Sequence, residues 1–197
     1  MEIVIHRVNS LEKLNQLPLS FGAEIDIRAY GSDLILNHEP FEPGCLFEDF
    51  LKQYRHGLLI LNIKEAGVEA AALSLVSKYR VPSFFLLDVE FPYIYTASRE
   101  GNRSIAMRYS EDEPIENSLK YSGMIDWVWI DTNTRLPLSR EICESLSAFK
   151  TCLVCPERWG RPEDIVPYRK RMLELVYEPS AIMTSLECVP LWTRSVL

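Results

Sequence analysis

The sequence has no long hydrophobic run, no excess of basic charge and no regular spacing of cysteines. None of its apolar runs reaches the roughly 20 residues that a transmembrane helix needs, so no membrane span is expected. The formal net charge of −7 argues against nucleic-acid and anionic-membrane partners, because these are bound by basic patches. The opening MEIVIHRVNS lacks the apolar core of a signal peptide, and a cytoplasmic protein is therefore expected.

The five cysteines are an odd number without the spacing of a disulfide framework, which indicates reduced thiols. Cys152 and Cys155 form a CxxC pair within KTCLVCPE, a segment typical of a strand. Residues three apart on a strand point to opposite faces. The pair is therefore not expected to bind a metal or to act as a redox centre.

At 197 residues, of which 47% are hydrophobic, the chain can bury one sizeable core, and a single domain over 1–197 is predicted. Short apolar runs rich in β-branched and aromatic residues predict strands at 2–7, 23–30, 57–64, 82–90, 104–110, 126–132, 150–157 and 181–187. Segments with helical patterning lie between them, at 10–20, 45–56, 67–80, 92–99, 114–122, 139–148 and 161–176.

This alternation predicts an α/β fold in which a parallel sheet is covered by helices. Eight strands make a (β/α)8 TIM barrel the most economical architecture. The chain is short for that fold, so short helices and a reduced final unit are expected. A doubly wound open sheet is the structural alternative.

Polar side chains follow most of the predicted strands at or near their carboxyl ends. In a TIM barrel these ends meet at one rim, where active sites are built. Strands that leave a core also end in polar residues simply to meet water, but this explains their number and alternating sign less well. The residues are His6, Asp26, Lys64, Asp88, Arg108, Asp131 and Glu157.

The segment AEIDIRAY places two carboxylates on the second strand. Glu24 and Asp26 are two residues apart, so both side chains face the same side of the sheet, and Arg28 continues the row. Acids on the inner side of a barrel need a partner. A divalent cation held by oxygen ligands is one candidate, and a counter-charge from Lys64 or Arg28 is the other.

Two histidines are expected near these carboxylates. The segment RAYGSDLILNHE predicts a hairpin that returns His38 to the rim, and His6 ends the neighbouring first strand. Histidines that flank a carboxylate pair provide the groups for general acid–base catalysis, although each taken singly is more often structural. His56 lies at a predicted helix end and is expected to be a surface or capping residue.

These residues resemble the signature of the glycerophosphodiester phosphodiesterases, which are related in fold to phosphatidylinositol-specific phospholipase C. The match lies within residues 5–64 and consists of HR after the first strand, EID in the second and HEP after the turn. The resemblance implies a (β/α)8 barrel, a divalent metal, usually calcium or magnesium, and a small phosphodiester substrate. It implies His6 and His38 as the acid–base pair, Arg7 as a phosphate or structural contact, and Glu24 and Asp26 as metal ligands.

The sequence also departs from the family pattern. Val8 stands where the family has glycine, and NSLEKLNQLP replaces its Pro-Glu-Asn-Thr element. A family glutamate two residues before a lysine is here Asn62, while Lys64 is retained as a second candidate phosphate contact. Because asparagine offers a neutral oxygen, metal affinity should fall. Asp88 could supply the missing carboxylate.

Three functions are weighed. The first is a metal-dependent hydrolase of a small glycerol- or polyol-containing phosphodiester, with the ion between Glu24 and Asp26. The second is a barrel without catalysis that binds a phosphorylated ligand or a protein, which an acid pair salt-bridged to Lys64 would favour. The third is a metal-free enzyme of sugar phosphates, with phosphate near Arg158 and Arg161 in the loops after the last strands.

Overall fold

The computed structural model describes residues 1–194 of the chain, and within them are ten strands and eight α-helices. The chain divides into two compact units. The N-terminal unit is Val4–Ala97, and the C-terminal unit consists of Met1–Ile3 and the chain from Ser98 onward. The single domain over 1–197 stays a prediction.

The N-terminal unit holds a mainly parallel sheet and its helices. Strand β2 pairs in parallel with β1 and with β5, and β5 pairs in parallel with β6, while β3 and β4 are antiparallel additions. The strands are β1 (Glu2–Ile5), β2 (Gly22–Tyr30), β3 (Asp33–Leu36), β4 (Cys45–Leu46), β5 (Leu59–Ile63) and β6 (Phe84–Leu87). The helices are α1 (Leu11–Gln16), α2 (Phe47–Gln53), α3 (Glu69–Lys78) and α4 (Phe91–Arg99).

Local sequence explains how these elements begin and turn. Ser10 caps α1, because its hydroxyl accepts a hydrogen bond from the Lys13 N–H at 3.2 Å. Gly31 turns the chain between β2 and β3 at a φ of 63°, a conformation that costs glycine little. The predicted hairpin is therefore confirmed. Strand β4 was not predicted, since two residues carry no readable pattern.

The C-terminal unit holds four parallel strands and their helices. Strands β7, β8, β9 and β10 pair in chain order, and the Glu2 N–H donates to the Ser180 carbonyl at 2.8 Å, which brings the start of β1 beside β10. The strands are β7 (Ala106–Tyr109), β8 (Trp127–Ile130), β9 (Lys150–Val154) and β10 (Ala181–Thr184). The helices are α5 (Ile115–Leu119), α6 (Arg140–Leu146), α7 (Ile165–Glu174) and α8 (Val189–Thr193).

All eight strands predicted from apolar runs are present; β2 begins one residue before its run, at Gly22, and the others are shorter than theirs. The helices are short, at most 10 residues in α3 and α7, and the last strand is followed by the five-residue α8. The predicted short helices and reduced final unit are confirmed. Helix α8 was not predicted, because VPLWT is too short and apolar to show a helical period.

The sequence led us to expect neither a membrane-spanning helix nor a disulfide. None of the helices within residues 1–194 has the length and apolar character that a bilayer crossing requires. All five cysteines are free thiols. Cys152 and Cys155 are both buried. Burial raises the pKa of the Cys155 thiol, so less of this residue is present as the reactive thiolate.

Candidate functional site

The two carboxylates of β2 form the centre of the site. Glu24 and Asp26 are each 1% exposed. Asp26 lies opposite Asn62 in the parallel pairing of β2 with β5, so the side chains of both residues face the same side of the sheet. Lys64 follows two residues later on that side. The structure thus brings the predicted carboxylates, amide and lysine together at the carboxyl ends of neighbouring strands.

Glu24 is held by the turn that follows β1. Its Oε2 accepts a hydrogen bond from the Arg7 backbone N–H at 2.7 Å, and its Oε1 accepts one from Asn62 Nδ2 at 2.8 Å. His6 Nε2 lies 4.0 Å from Glu24 Oε2. Arg7 adopts a φ of 54°, which is uncommon for a residue other than glycine. The residue with this uncommon backbone conformation is thus the one whose N–H donates to the Glu24 carboxylate.

Asp26 has a cation and an amide as partners. Lys64 Nζ lies 3.0 Å from Asp26 Oδ1, and the lysine side chain is only 14% exposed. Asn9 donates its Nδ2 to Asp26 Oδ2 at 2.7 Å and accepts the Asp26 N–H through its Oδ1 at 2.9 Å. Of the two counter-charges predicted from the sequence, Lys64 is therefore the one that pairs with the acids.

Arg28 instead supports the histidine that returns along the hairpin. Its Nε and Nη2 donate to the His38 carbonyl at 3.2 and 3.0 Å, and its Nη1 lies 3.8 Å from Glu65. His38 Nδ1 is 2.7 Å from Glu39 Oε1, a hydrogen bond that lowers the pKa of Glu39. The backbone and one ring nitrogen of His38 are thus fixed.

The environment of Glu24 opposes its ionisation. Burial, and then repulsion by Asp26, raise the pKa of Glu24 from its ordinary 4.5 to about 7, although hydrogen bonds from Asn62 and Arg7 and the charge of Lys64 act in the opposite direction. Lys64 is a single positive charge beside two carboxylates. The pair therefore has a deficit of positive charge at neutral pH.

This raised pKa predicts a pH-dependent stability. Since the folded state holds the proton more tightly than the unfolded chain, stability is lost as the pH rises from 4.5 to about 7. At about 1.4 kcal/mol per pKa unit, the loss is about 3 kcal/mol. We expect Glu24→Gln, whose neutral amide still accepts from Arg7, to be more stable than the wild type by about that amount near pH 8 and by little near pH 5.

Urea denaturation of both proteins at these two pH values measures the difference. The exposed Glu12 of α1 provides a matched control, because Glu12→Gln removes an acid that is already solvated. An equal pH dependence in the wild type and in Glu24→Gln would contradict the assignment.

The donor set partly fits a divalent cation. Glu24, Asp26 and the amide of Asn62 offer the oxygen atoms that magnesium and calcium prefer. Asn62 is 2% exposed, and its Oδ1 is buried without a hydrogen-bond partner, so this atom is available as a ligand. Within residues 1–194 no three carboxylate, histidine or cysteine side chains are grouped to hold a metal. The ligands available to a divalent cation are therefore two carboxylates and one neutral amide oxygen.

The remaining predicted residues contribute differently. Arg7 presents its backbone N–H to Glu24, while the Nε of its side chain is buried without a hydrogen-bond partner. Asp88 follows β6 with an exposed side chain and a φ of 60°. The role of Asp88 as a third carboxylate and that of Arg7 as a phosphate contact stay predictions.

Asn9 is the site residue that sequence reasoning missed. It bonds both the side chain and the backbone of Asp26. It belongs to NSLEKLNQLP, the segment that was noted only for lacking a family element. Its position could have indicated this role. Asn9 lies three residues after His6, in the loop after β1, and this loop must pass the end of the neighbouring strand β2.

The prediction for His56 as a surface residue is wrong. His56 is only 9% exposed, and its Nε2 donates to the carbonyl of Leu17 at 3.2 Å. Leu17 is the C-terminal cap of α1. His56 therefore does contact a helix end. The helix is α1 rather than α2, which precedes His56 in the chain, and the histidine is buried.

The C-terminal unit has a smaller charged cluster of its own. Arg108 pairs with Asp131 Oδ2, which also accepts a hydrogen bond from Trp129 Nε1 at 3.1 Å. Burial raises the pKa of Asp131, while Arg108 acts against this rise. Arg161 donates to the carbonyls of Thr132 and Thr134 and pairs with Asp164. Because its guanidinium already holds the surrounding loops together, Arg161 gives no support to a phosphate site in this unit.

Sequence comparison alone does not place the chain. No protein-family model matches it, and no curated protein sequence matches it either.

Comparison of structures gives a clear result. A glycerophosphoryl diester phosphodiesterase from Parabacteroides distasonis is 14% identical, with a TM-score of 0.65 over 96% of this chain and 84% of that one. A glycerophosphodiester phosphodiesterase from Agrobacterium tumefaciens is 12% identical, with a TM-score of 0.67 over 95% of this chain and 98% of that one. These similarities confirm the predicted α/β fold of the TIM-barrel class.

Proposed function

We propose that the protein is a phosphodiester hydrolase that cleaves a small glycerol- or polyol-containing diester with the help of a divalent cation. One observation carries the proposal: two carboxylates, Glu24 and Asp26, are buried side by side with a single cation, Lys64, and Glu24 lies 4.0 Å from His6. Enzymes of the same fold that are named for this reaction support it. The cation would be magnesium or calcium.

The site residues divide the work of hydrolysis between proton transfer and charge neutralisation. Water attacks phosphorus, the bond to one alcohol breaks, and the products are a phosphomonoester and a free alcohol. We assign His6 and His38 to the two proton transfers, one from the attacking water and one to the leaving oxygen. Lys64 and Arg7 would contact the non-bridging oxygens, where negative charge accumulates.

Glu24, Asp26 and Asn62 would hold the cation. When bound, a divalent cation supplies Lewis-acid charge neutralisation to a phosphoryl oxygen. The protein's own contribution is to keep these oxygen donors fixed, through Arg7 N–H on Glu24 and Asn9 on Asp26. Such support of ligands by neighbouring hydrogen bonds is a general requirement of metal sites.

The test is hydrolysis of bis(p-nitrophenyl) phosphate with magnesium, calcium or manganese, and with a chelator. We expect turnover that needs a metal and falls by at least about 100-fold in Glu24→Gln. The exposed Glu12→Gln variant should keep full activity. Turnover that survives in Glu24→Gln, with this protein shown to be folded, would overturn the assignment of the acid pair.

A second function is favoured by a specific contact. The Lys64 Nζ to Asp26 Oδ1 distance of 3.0 Å places a built-in cation against the acid pair, and Asn62 stands in place of a third acid. A barrel that binds a phosphorylated ligand without cleaving it would have this arrangement. The same assay distinguishes the two, because this candidate predicts no turnover with any metal.

Asn62 offers a way to test the metal site without activity. We expect Asn62→Asp to bind magnesium or calcium at least about tenfold more tightly than the wild type, because a third carboxylate adds charge at nearly unchanged size. Without metal the same variant should be less stable, since it buries a further acid beside Glu24. Thermal denaturation with and without each cation measures both effects. Equal stabilisation of variant and wild type by the cation would contradict the proposed ligand set.

A further inference from the structure

A second cluster of polar side chains lies at the opposite ends of the strands that carry the site. Helices α2 and α3 end in the same dipeptide, Tyr-Arg, and each tyrosine is the C-terminal cap of its helix. Strands β5 and β6 follow these helices and pair in parallel, with Leu59 opposite Phe84. The two Tyr-Arg segments therefore lie side by side at the amino ends of the strands, about 15 Å along β5 from the acid pair.

The two segments enclose a cavity of about 310 Å³. Its lining includes Tyr54, Arg55, His56, Tyr79 and Arg80, and the remaining lining residues are Val81 and Pro82, so no acid takes part. A cavity with two guanidinium groups and no carboxylate is unexpected in a protein with a net charge of −7. The charge of its lining indicates an anionic occupant.

Nearby acids do not neutralise these arginines. Glu48 of α2 forms an ion pair with Lys78, and Asp49 of the same helix lies 2.7 Å from Lys52 Nζ. No ion pair or hydrogen bond of the Arg80 side chain is found within residues 1–194. Arg55 donates one N–H to the Tyr54 carbonyl at 2.6 Å and has others to offer. Both guanidinium groups can therefore serve a ligand.

His56 provides an independent indication of a ligand. It is nine-tenths buried, and while its Nε2 donates to Leu17, its Nδ1 is buried without a hydrogen-bond partner. A buried polar atom without a partner costs free energy, so a native structure normally has a reason for it. With Nε2–H as the donor to Leu17, Nδ1 is an acceptor, and the P–OH group of a hydrogen phosphate in the same cavity can donate to it.

We propose that this cavity binds a small oxyanion of the phosphate class, held by Arg55, Arg80 and His56. Guanidinium groups match the geometry of phosphate oxygens and bind them through pairs of N–H donors. The volume exceeds that of a phosphate ion, and the rings of Tyr54 and Tyr79 line the remainder. Inorganic phosphate and a phosphomonoester are the two sources of this chemistry. The proposal does not depend on the hydrolase function.

The experiment uses the whole chain and follows the three histidine rings by NMR during titration with inorganic phosphate. His56→Gln, which can still donate to Leu17, assigns the His56 signal. We expect this signal to shift and saturate below about 20 mM phosphate, and Arg55→Gln and Arg80→Gln each to weaken binding by about tenfold. The exposed Arg171 of α7 provides the control, because Arg171→Gln should bind phosphate as the wild type does.

Three results would overturn the proposal. The His56 signal could stay unmoved, it could shift equally with chloride at the same ionic strength, or it could shift with an affinity that Arg55→Gln and Arg80→Gln leave unchanged. Binding near the acid pair is recognised separately, since it moves the signals of His6 and His38 instead. Repeating the titration with glycerol 3-phosphate identifies the source: tighter binding assigns the cavity to a phosphomonoester, and equal binding assigns it to free phosphate.

Discussion

Lys64→Met is expected to lower the free energy of unfolding by about 3–5 kcal/mol at neutral pH, because it leaves a buried carboxylate without its cation. The Lys64 Nζ lies 3.0 Å from Asp26 Oδ1, and Asp26 is 1% exposed. Water cannot replace the lost charge at so buried a position. Methionine has a similar length and keeps the packing of the lysine stem, so the loss reports on charge. Urea denaturation measures it.

A double variant separates charge from packing. Asp26→Asn removes the acid, so Lys64→Met in that background should cost less than about half as much as it does alone. The asparagine can still bond Asn9 through its side chain. A loss below about 1 kcal/mol for Lys64→Met alone would show that the ion pair is solvated, and would contradict the account of the acid pair.

His6→Gln and His38→Gln are each expected to lower diester turnover by about 10²- to 10⁴-fold, the range of general acid–base catalysis. The two histidines lie after different strands. His6 follows β1 with its Nε2 4.0 Å from Glu24 Oε2, and His38 follows β3 with its carbonyl held by Arg28. Glutamine keeps hydrogen-bonding capacity but cannot exchange a proton near neutral pH.

The leaving group tells the two roles apart. The p-nitrophenolate of bis(p-nitrophenyl) phosphate departs without a proton, whereas the alkoxide of a glycerophosphodiester needs one. The variant that lacks the acid should therefore lose much less activity on the first substrate than on the second, and the variant that lacks the base should lose as much on both. Wild-type turnover of the glycerophosphodiester by either variant would remove that histidine from the mechanism.

The acid pair and its lysine could be predicted because local rules decide their positions. Two residues two apart on a strand share a face, and the residue after a neighbouring parallel strand reaches the same edge, so Glu24, Asp26 and Lys64 had to converge. Whether Lys64 or Arg28 would pair with the acids could not be read from the sequence. The hairpin of β2 and β3 decides it, since it brings the His38 carbonyl to Arg28.

The residues that sequence reasoning missed depend on contacts distant in the chain. Asn9 bonds a residue 17 positions away, and His56 bonds the carbonyl of Leu17 39 positions away. Neither contact follows from a periodicity, because Asn9 and His56 both lie in irregular segments between elements. Strand β4 and helix α8 were missed for a different reason: they are so short that tertiary packing, rather than pattern, defines them.

The most direct test of the central claim is ³¹P NMR of a glycerophosphodiester incubated with the protein and magnesium, calcium or manganese. The account predicts that the diester signal is replaced by that of a phosphomonoester, that a chelator prevents this, and that Asp26→Asn does so too. A diester signal that persists with every metal, in protein shown to be folded, would contradict it. The second candidate, a barrel that binds phosphorylated ligands without cleaving them, would then stand in its place.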